Sequence, residues 1–530
     1  MRCVRMKLRS RIGFCIGFSF ILSKKTSLLY SNQSLQNLQN IHRPLMQQKL
    51  HQALNRGYFR TVDLFAGCGG MTLGFHRAGF KCVSAVEIDP DAAKSHKLNF
   101  APLAQPEGYA IFNDITKTSP EQAVAHLEEM GADEGVDILV GGPPCQAFSR
   151  LGRAALWRLA GKDKAHADDH RATMYHHYLH YLDTYKPLAF VMENVREIGK
   201  FVGRNLAEEI ACSAEELGYE VRYTLLNAVW YGVPQLRERA IMIGIHKELG
   251  QVPKFPKITH QYSLPTGYST SRAGQGHVEF IEPHDHYVDH LDFSSKTSPA
   301  VSVKDAFVDL PPIFSHLAHK TSSKKPRNPD NRYDYVEGAN PFTSEMRAWP
   351  HFRNGATSFS GHIIRYTPRD YETFKRMPHG GMYPEALETA HQIFAERLKR
   401  LEADLGKQIK EGSKEWTDLF KATVPPYKPG RYPNKFRKMW PNQPSRTLPA
   451  HIGKDAYSHI HFDSKQARGI SLREAARIQS FPDGFKFAGS MNAQLKQIGN
   501  AVPPLLAYSI AKSLKKSLLA SNVCLSNSKV

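Results

Sequence analysis

At 530 residues, 41% hydrophobic and 23% charged, the chain is long enough for two or three domains and has the composition of a soluble globular protein, so disorder is not its default. Its formal charge of +20 points to a polyanionic partner, yet eleven of its 70 lysines and arginines fall in residues 1–60, which hold no acid, so the remainder is only moderately basic. Seven cysteines without a C-x-x-C pair argue against a disulfide framework or structural zinc and fit a reducing compartment, and no apolar run reaches the roughly 18 residues of a membrane helix.

The opening MRCVRMKLRSR and IGFCIGFSFIL have the basic and apolar regions of a signal peptide, without a small-x-small cleavage site. The same acid-free text suits an organelle transit peptide, or an extension upstream of a start at Met46. Residues 1–56 therefore read as a basic, poorly ordered extension.

From residue 61, the runs TVDLF, CVSAVEI, YAIF, VDILV, LAFVMENV, EVRYTLL and RAIMIGI alternate with longer amphipathic stretches. Runs this apolar predict strands covered on both faces, hence an α/β, doubly wound, Rossmann-like domain with a parallel sheet over residues 57–250. The first strand enters DLFAGCGG, with Gly67, Gly69 and Gly70, and Glu87 ends the second strand about twenty residues later. Glycines let the chain turn tightly against a ligand, and an acid at that distance binds both ribose hydroxyls, so the pair suits a nucleoside cofactor. No G-K-[ST] follows, which excludes a P-loop. Asp114, ending YAIFND, suits either a purine amino group or a turn.

In GGPPCQAFS, Cys145 follows the strand-like VDILV and a stiff Pro-Pro turn. A thiol at the carboxyl end of a strand is placed for nucleophilic work, the alternative being a buried cysteine packing as a small hydrophobe. Glu193 ends the fifth strand, as a proton donor or a turn cap. In YGVPQLRERAIMIG, Arg237 and Arg239 alternate and point the same way if the strand starts there; guanidiniums entering a core require anionic or carbonyl partners. Beyond residue 250 the text turns rich in Pro, His, Ser and Gly, marking a second domain over 251–443 with basic-aromatic YKPGRYPNKFRKMW and a charged helix near 385–412 whose charges mark a solvated face. Residues 444–490 return to the core, one helix from about Asn492 to Leu518 (segment 491–518) completes the first domain, and 519–530 form a tail. His176, His177 and His180 pack rather than ligate, and no metal site is expected.

DLFAGCGG, GGPPCQAFS, ENV, QLRER, REAARIQSFP and QIGNAVPP, in that order, closely resemble the cytosine-C5 DNA methyltransferases over about 61–246 and 444–515. The resemblance implies S-adenosylmethionine in the first-strand pocket, contacted by Phe65, Gly67, Gly69, Glu87, Ile88, Asp114 and Ile115 and completed by Pro144, Met174 and Asn500. It implies Cys145 as the nucleophile toward C6 of a flipped cytosine, Glu193 at N3, and Arg239 with Arg237 as donors toward O2. Gln146 and Ser149 belong to the catalytic loop, Gln235 is an orienting residue, and a mobile lid touches phosphate through Arg150 or Arg153. Residues 251–443 become the smaller target-recognition domain, with Thr447 beside it. The implied partners are double-stranded DNA and a cognate restriction endonuclease, for a monomer without membrane attachment in a bacterial cytoplasm or nucleoid, encoded by the host or a phage. Rival readings are a cytosine-C5 methyltransferase of transfer RNA and a catalytically inactive DNA-binding protein; a nicotinamide oxidoreductase would leave Cys145 and the arginines unexplained.

Overall fold

The computed structural model describes residues 44–104, 108–129, 135–144, 174–201, 203–265, 282–289, 291–317, 328–353, 356–428, 435–453 and 456–527. Residues 45–56, expected to be poorly ordered, instead form helix α1 (Leu45–Arg56). Met46, Leu50 and Ala53 recur at helical spacing and are buried, the Met46 N–H donates to Glu248 Oε2 at 3.0 Å, and Arg56 pairs with buried Asp137. The signal-like stretch lies outside the described residues, among which no helix is long and apolar enough to cross a membrane.

Seven strands make the central sheet: β1 (Phe59–Leu64), β2 (Phe80–Val86), β3 (Ala110–Phe112), β4 (Ile138–Gly141), β5 (Ala189–Asn194), β6 (Tyr219–Asn227) and β8 (Glu238–His246), with the two-residue β7 (Gln235–Leu236) between the last two. Their order is β3-β2-β1-β4-β5-β8-β6. Alternate residues of each central strand enter opposite cores: Ile138, Val140, Ala189, Val191, Ile241, Ile243 and Ile245 on one side, Leu139, Phe190, Met192, Ala240 and Met242 on the other. Helices α2 (Gly70–Arg77), α3 (Pro90–Phe100), α4 (Pro120–Glu129), α5 (Met174–Tyr185) and α6 (Leu206–Glu216) supply the covering layers. The doubly wound α/β expectation is met.

The sheet is not wholly parallel. Strand β8 runs antiparallel to both β5 and β6. A parallel return needs a crossover of a dozen or more residues, and the short stretch joining β6 to β8 holds only a turn of 3-10 helix and β7, so the chain doubles back and slots between β5 and β6.

Beyond the sheet come β9 (Ile258–Gln261), β10 (Phe293–Pro299), α7 (Val303–Phe307), β11 (Arg332–Asp334), α8 (Pro341–Arg347), β12 (Ser358–Ser360), α9 (Tyr371–Arg376), α10 (Tyr383–Leu405), α11 (Lys414–Lys421), β13 (Ser445–Arg446) and α12 (Leu472–Ile478). The charged helix near 385–412 is α10: it buries Tyr383, Ala386, Ala390, Ile393 and Phe394 along one stripe and stops at Gly406, whose φ of 62° suits glycine. The last expected helix is two, α13 (Met491–Asn500) and α14 (Pro504–Asn527). Pro503 and Pro504 cannot donate to a continuing helix, so the chain breaks and restarts with proline at its first turn.

Candidate active site and cofactor pocket

The carboxyl ends of β1, β2, β4 and β5 build the site. After β1 the chain turns through Phe65, Gly67 and Gly69 at φ of 58°, 57° and 95°. A Cβ on Gly69 would lie 2.3 Å from Phe100 Cε2, and one on Gly70 would lie 2.2 Å from the Val502 carbonyl oxygen. The loop therefore requires glycine for its backbone and for its close approach to α3 and to the segment joining α13 and α14. Glu87, just past β2, accepts the Gly67 N–H at 2.8 Å on one oxygen and the Asp89 N–H at 2.7 Å on the other. Burial raises its pKa and these amides oppose the rise. Its neighbour Ile88 is 72% exposed, an apolar surface beside a fixed carboxylate.

Asp114 forms the turn that was its alternative reading. Its Oδ1 accepts the amide of Thr116 at 3.0 Å and the hydroxyl at 2.7 Å, and those bonds lower its pKa. Ile115 is buried in the core on the α5 side of the sheet. Met174 opens α5 and packs partly buried against that core. Asn500 is exposed as the last residue of α13.

The loop that leads to Cys145 is anchored on both sides. The Gly142 N–H donates to the Leu64 carbonyl at 3.3 Å, and Asn194 Nδ2 donates to the Pro143 carbonyl at 3.3 Å; Pro144 is half-buried. Cys145, Gln146, Ser149, Arg150 and Arg153 lie outside the described residues. Glu193, at the tip of β5, pairs with Arg239 of β8, Oε1 to Nε at 2.9 Å, the two side chains being 13% and 15% exposed. The antiparallel register sets Glu193 opposite Ile241, so Arg239 is its diagonal neighbour on the same face. Glu193 Oε2 would stand 3.1 Å from a Cβ on Gly142, which places the carboxylate over the loop three residues before Cys145. Arg239 Nη1 also donates to the Glu238 carbonyl at 2.6 Å.

Arg237 does not join Arg239. The sheet strand starts at Glu238, so the period-two argument fails at Arg237, which is 2% exposed. Its Nη1 donates to the carbonyls of Leu448 at 3.3 Å and Gly499 at 3.1 Å. Gln235 does the matching work: its Nε2 donates to Ile478 O and Gln479 Oε1 at 3.2 and 2.8 Å, and its Oε1 accepts the Leu448 N–H at 2.8 Å. Thr447 donates to Leu236 O at 2.6 Å, alongside the β7–β13 pairing. QLRER thus clamps the returning chain to the sheet and leaves Arg239 for the cleft.

Two buried networks escape a reading by local pattern. Beneath the glycine loop, Thr72 donates to Asp63 Oδ2 at 2.5 Å and lies 3.0 Å from His96 Nε2, while His96 Nδ1 pairs with the Tyr109 hydroxyl. Burial pushes Asp63 up to about 7 and His96 down to about 3. In REAARIQSFP, Arg477 is fully buried between Asp309 and Asp483, with Nη2 to Asp483 Oδ2 at 2.6 Å and Nη1 to Ala306 O at 2.9 Å. Asp63 inside the apolar strand β1 was a visible signal for the first; Arg477, in a helix that also carries Arg473 and Glu474, gave none.

The family model for C-5 cytosine-specific DNA methylase matches residues 59–516. A type II methyltransferase of Oceanobacillus iheyensis, M.OihORF3336P, is 35% identical over 86% of this chain and 95% of its own length. M.AgeI of Thalassovita gelatinovora, another type II methyltransferase, is 29% identical over 87% of this chain and its full length. A crystal structure of a prophage-encoded DNA modification methyltransferase from E. coli, 22% identical, superposes with a TM-score of 0.56 over 87% of this chain and 99% of that one, in agreement with the fold. On the family model over residues 59–516 and the 35% identity to the Oceanobacillus relative, the chain belongs to the C-5 cytosine-specific DNA methylase family.

Proposed function

We propose that the protein methylates C5 of cytosine within one sequence context of duplex DNA, using S-adenosylmethionine, as the modification half of a type II restriction-modification pair. The Glu193–Arg239 pair over the loop to Cys145 carries this reading, because C5 attacks a methyl group only after C6 has been engaged and the ring's charge has been held. The type II names of the relatives support the setting.

The Cys145 thiolate adds to C6 of a cytosine turned out of the duplex, at a cost of a few kcal/mol that protein contacts offset. Glu193 Oε2 serves N3, so that negative charge does not accumulate on the ring. Arg239, bound to Glu193 through Nε and to Glu238 O through Nη1, has Nη2 for O2. The cofactor supplies an electrophilic methyl group. C5 would take that methyl as the methyl–sulfur bond of the cofactor breaks to leave a neutral thioether, the C5 proton would pass to solvent water, and the C6–S bond would break to restore the Cys145 thiolate. Glu87 takes the ribose hydroxyls, and its doubly held carboxylate, the exposed Ile88 and the turn through Phe65, Gly67 and Gly69 fit a nucleoside. Asp114, Ile115, Pro144, Met174 and Asn500 border the same pocket, with Gln146 and Ser149 in the loop after Cys145. Arg237 and Gln235 are positioning residues, and residues 251–443 read the target sequence.

Transfer of labelled methyl from S-adenosylmethionine to duplex DNA, with transfer RNA in parallel, tests the reading. Label in DNA alone is expected; label in RNA alone overturns it. A covalent complex with 5-fluorocytosine duplex is expected in the wild type and absent in Cys145→Ala, and no complex in the wild type would leave a DNA-binding protein. Bisulfite sequencing of DNA from expressing cells then reads the target context.

A further inference from the structure

A second set of ligating side chains lies at the far edge of the sheet. Glu208, Cys212 and Glu215 recur along α6 at i, i+4 and i+7, on one face. Opposite them, residues 282–289 run beside the edge strand β6: the Tyr223 N–H donates to the His286 carbonyl at 3.0 Å and the Val288 N–H to the Tyr223 carbonyl at 2.9 Å. That register turns the His286 ring between two carboxylates, with Nδ1 2.7 Å from Glu208 Oε1 and Nε2 3.3 Å from Glu215 Oε2. One ligand atom from each of Glu208, Cys212 and His286 lies within 4.8 Å of the others.

Glu208 is the member that calls for a cation. Its side chain is 4% exposed, its ion-pair partner among the described residues is His286, and its other oxygen accepts the neutral Tyr223 hydroxyl at 2.8 Å. A buried carboxylate is costly unless positive charge compensates it, and an imidazole supplies charge only when protonated.

We propose that Glu208, Cys212 and His286 bind a divalent ion of the zinc class, with Glu215 fixing the other ring nitrogen of His286. One thiolate, one imidazole and one carboxylate are three donors for a tetrahedral Zn²⁺ or Co²⁺, whereas Ca²⁺ and Mg²⁺ take oxygen alone. As the metal–sulfur bond forms, the Cys212 thiol gives its proton to solvent. Lys247, 3.4 Å from Glu215 Oε1, holds the other oxygen of that carboxylate. The bound ion clips residues 282–289 onto α6 and the sheet edge.

Cobalt titration of the full-length, chelator-treated protein tests this. One equivalent is expected to bind with a thiolate-to-cobalt charge-transfer band and tetrahedral visible bands, both removed by added Zn²⁺. Cys212→Ser is expected to lose the charge-transfer band, and His286→Gln to weaken binding by about tenfold or more. No band in the wild type, or a band unchanged in Cys212→Ser, overturns the proposal. Alkylation of the wild-type protein gives a measurement free of variants: Zn²⁺ is expected to protect Cys212, and equal labelling with and without Zn²⁺ overturns the site.

Discussion

Arg237 donates one guanidinium N–H to the carbonyl of Gly499, 3.1 Å away and 262 residues further along the chain. Two residues on, Arg239 faces Glu193 instead. Alanine at the two positions should therefore separate stability from chemistry. Arg237→Ala, which strands the Leu448 and Gly499 carbonyls in the interior, is expected to lower the unfolding free energy by about 3 kcal/mol. Arg239→Ala is expected to cost stability about 1 kcal/mol and single-turnover methylation about a hundredfold. Urea denaturation and labelled-methyl transfer read the two effects, and equal losses of stability would contradict this division.

Glu87→Gln replaces one carboxylate oxygen by a donor, which cannot accept from both Gly67 and Asp89. Affinity for S-adenosylmethionine is expected to fall about tenfold, corresponding to one lost charged hydrogen bond. Equilibrium binding of the cofactor checks it, with the melting temperature as the control for folding.

Asp63 makes stability depend on pH in a specific direction. Its folded pKa, pushed by burial to about 7, lies above the ordinary 3.8, so the folded state holds a proton that the unfolded chain has lost. The contribution is complete below pH 3.8 and disappears as pH rises through about 7. Wild-type stability measured relative to Asp63→Asn should decline by a few kcal/mol across that window and stay level above it. A flat difference would show that Asp63 is ionised in the folded protein.

Arg477→Ala leaves Asp309 and Asp483 buried without their shared cation. The expected loss is about 3–5 kcal/mol, read from chemical denaturation. Because Arg477 also donates to Ala306 O, protection of α7 amides from hydrogen exchange should fall with it.

How much of this was legible depends on where each residue finds its partners. Glu87 and Glu193 were readable because each closes an apolar run and strand ends in α/β folds carry the site. The seven strands were readable for the same reason, and the reversal of β8 was latent in the shortness of the stretch after EVRYTLL. Arg237 was misread because its acceptors are the carbonyls of Leu448 and Gly499, which local alternation cannot see. Asp63 and His96 meet through Thr72 only after β1 and α3 are packed, and nothing in their spacing announces it. Helix α1 carried an amphipathic stripe of its own, hidden within a strongly basic extension.

The glycines of α2 give the order of assembly. A Cβ on Gly74 would lie 2.4 Å from the Tyr508 amide nitrogen, and one on Gly70 would lie 2.2 Å from Val502 O, so the glycine turn after β1 is roofed by residues more than four hundred positions downstream. A chain emerging from the ribosome holds that turn uncovered until α14 has left the exit tunnel. The packing around that turn is thus completed by the C-terminal helix, a contact between the two ends of the domain, and not by the sheet alone.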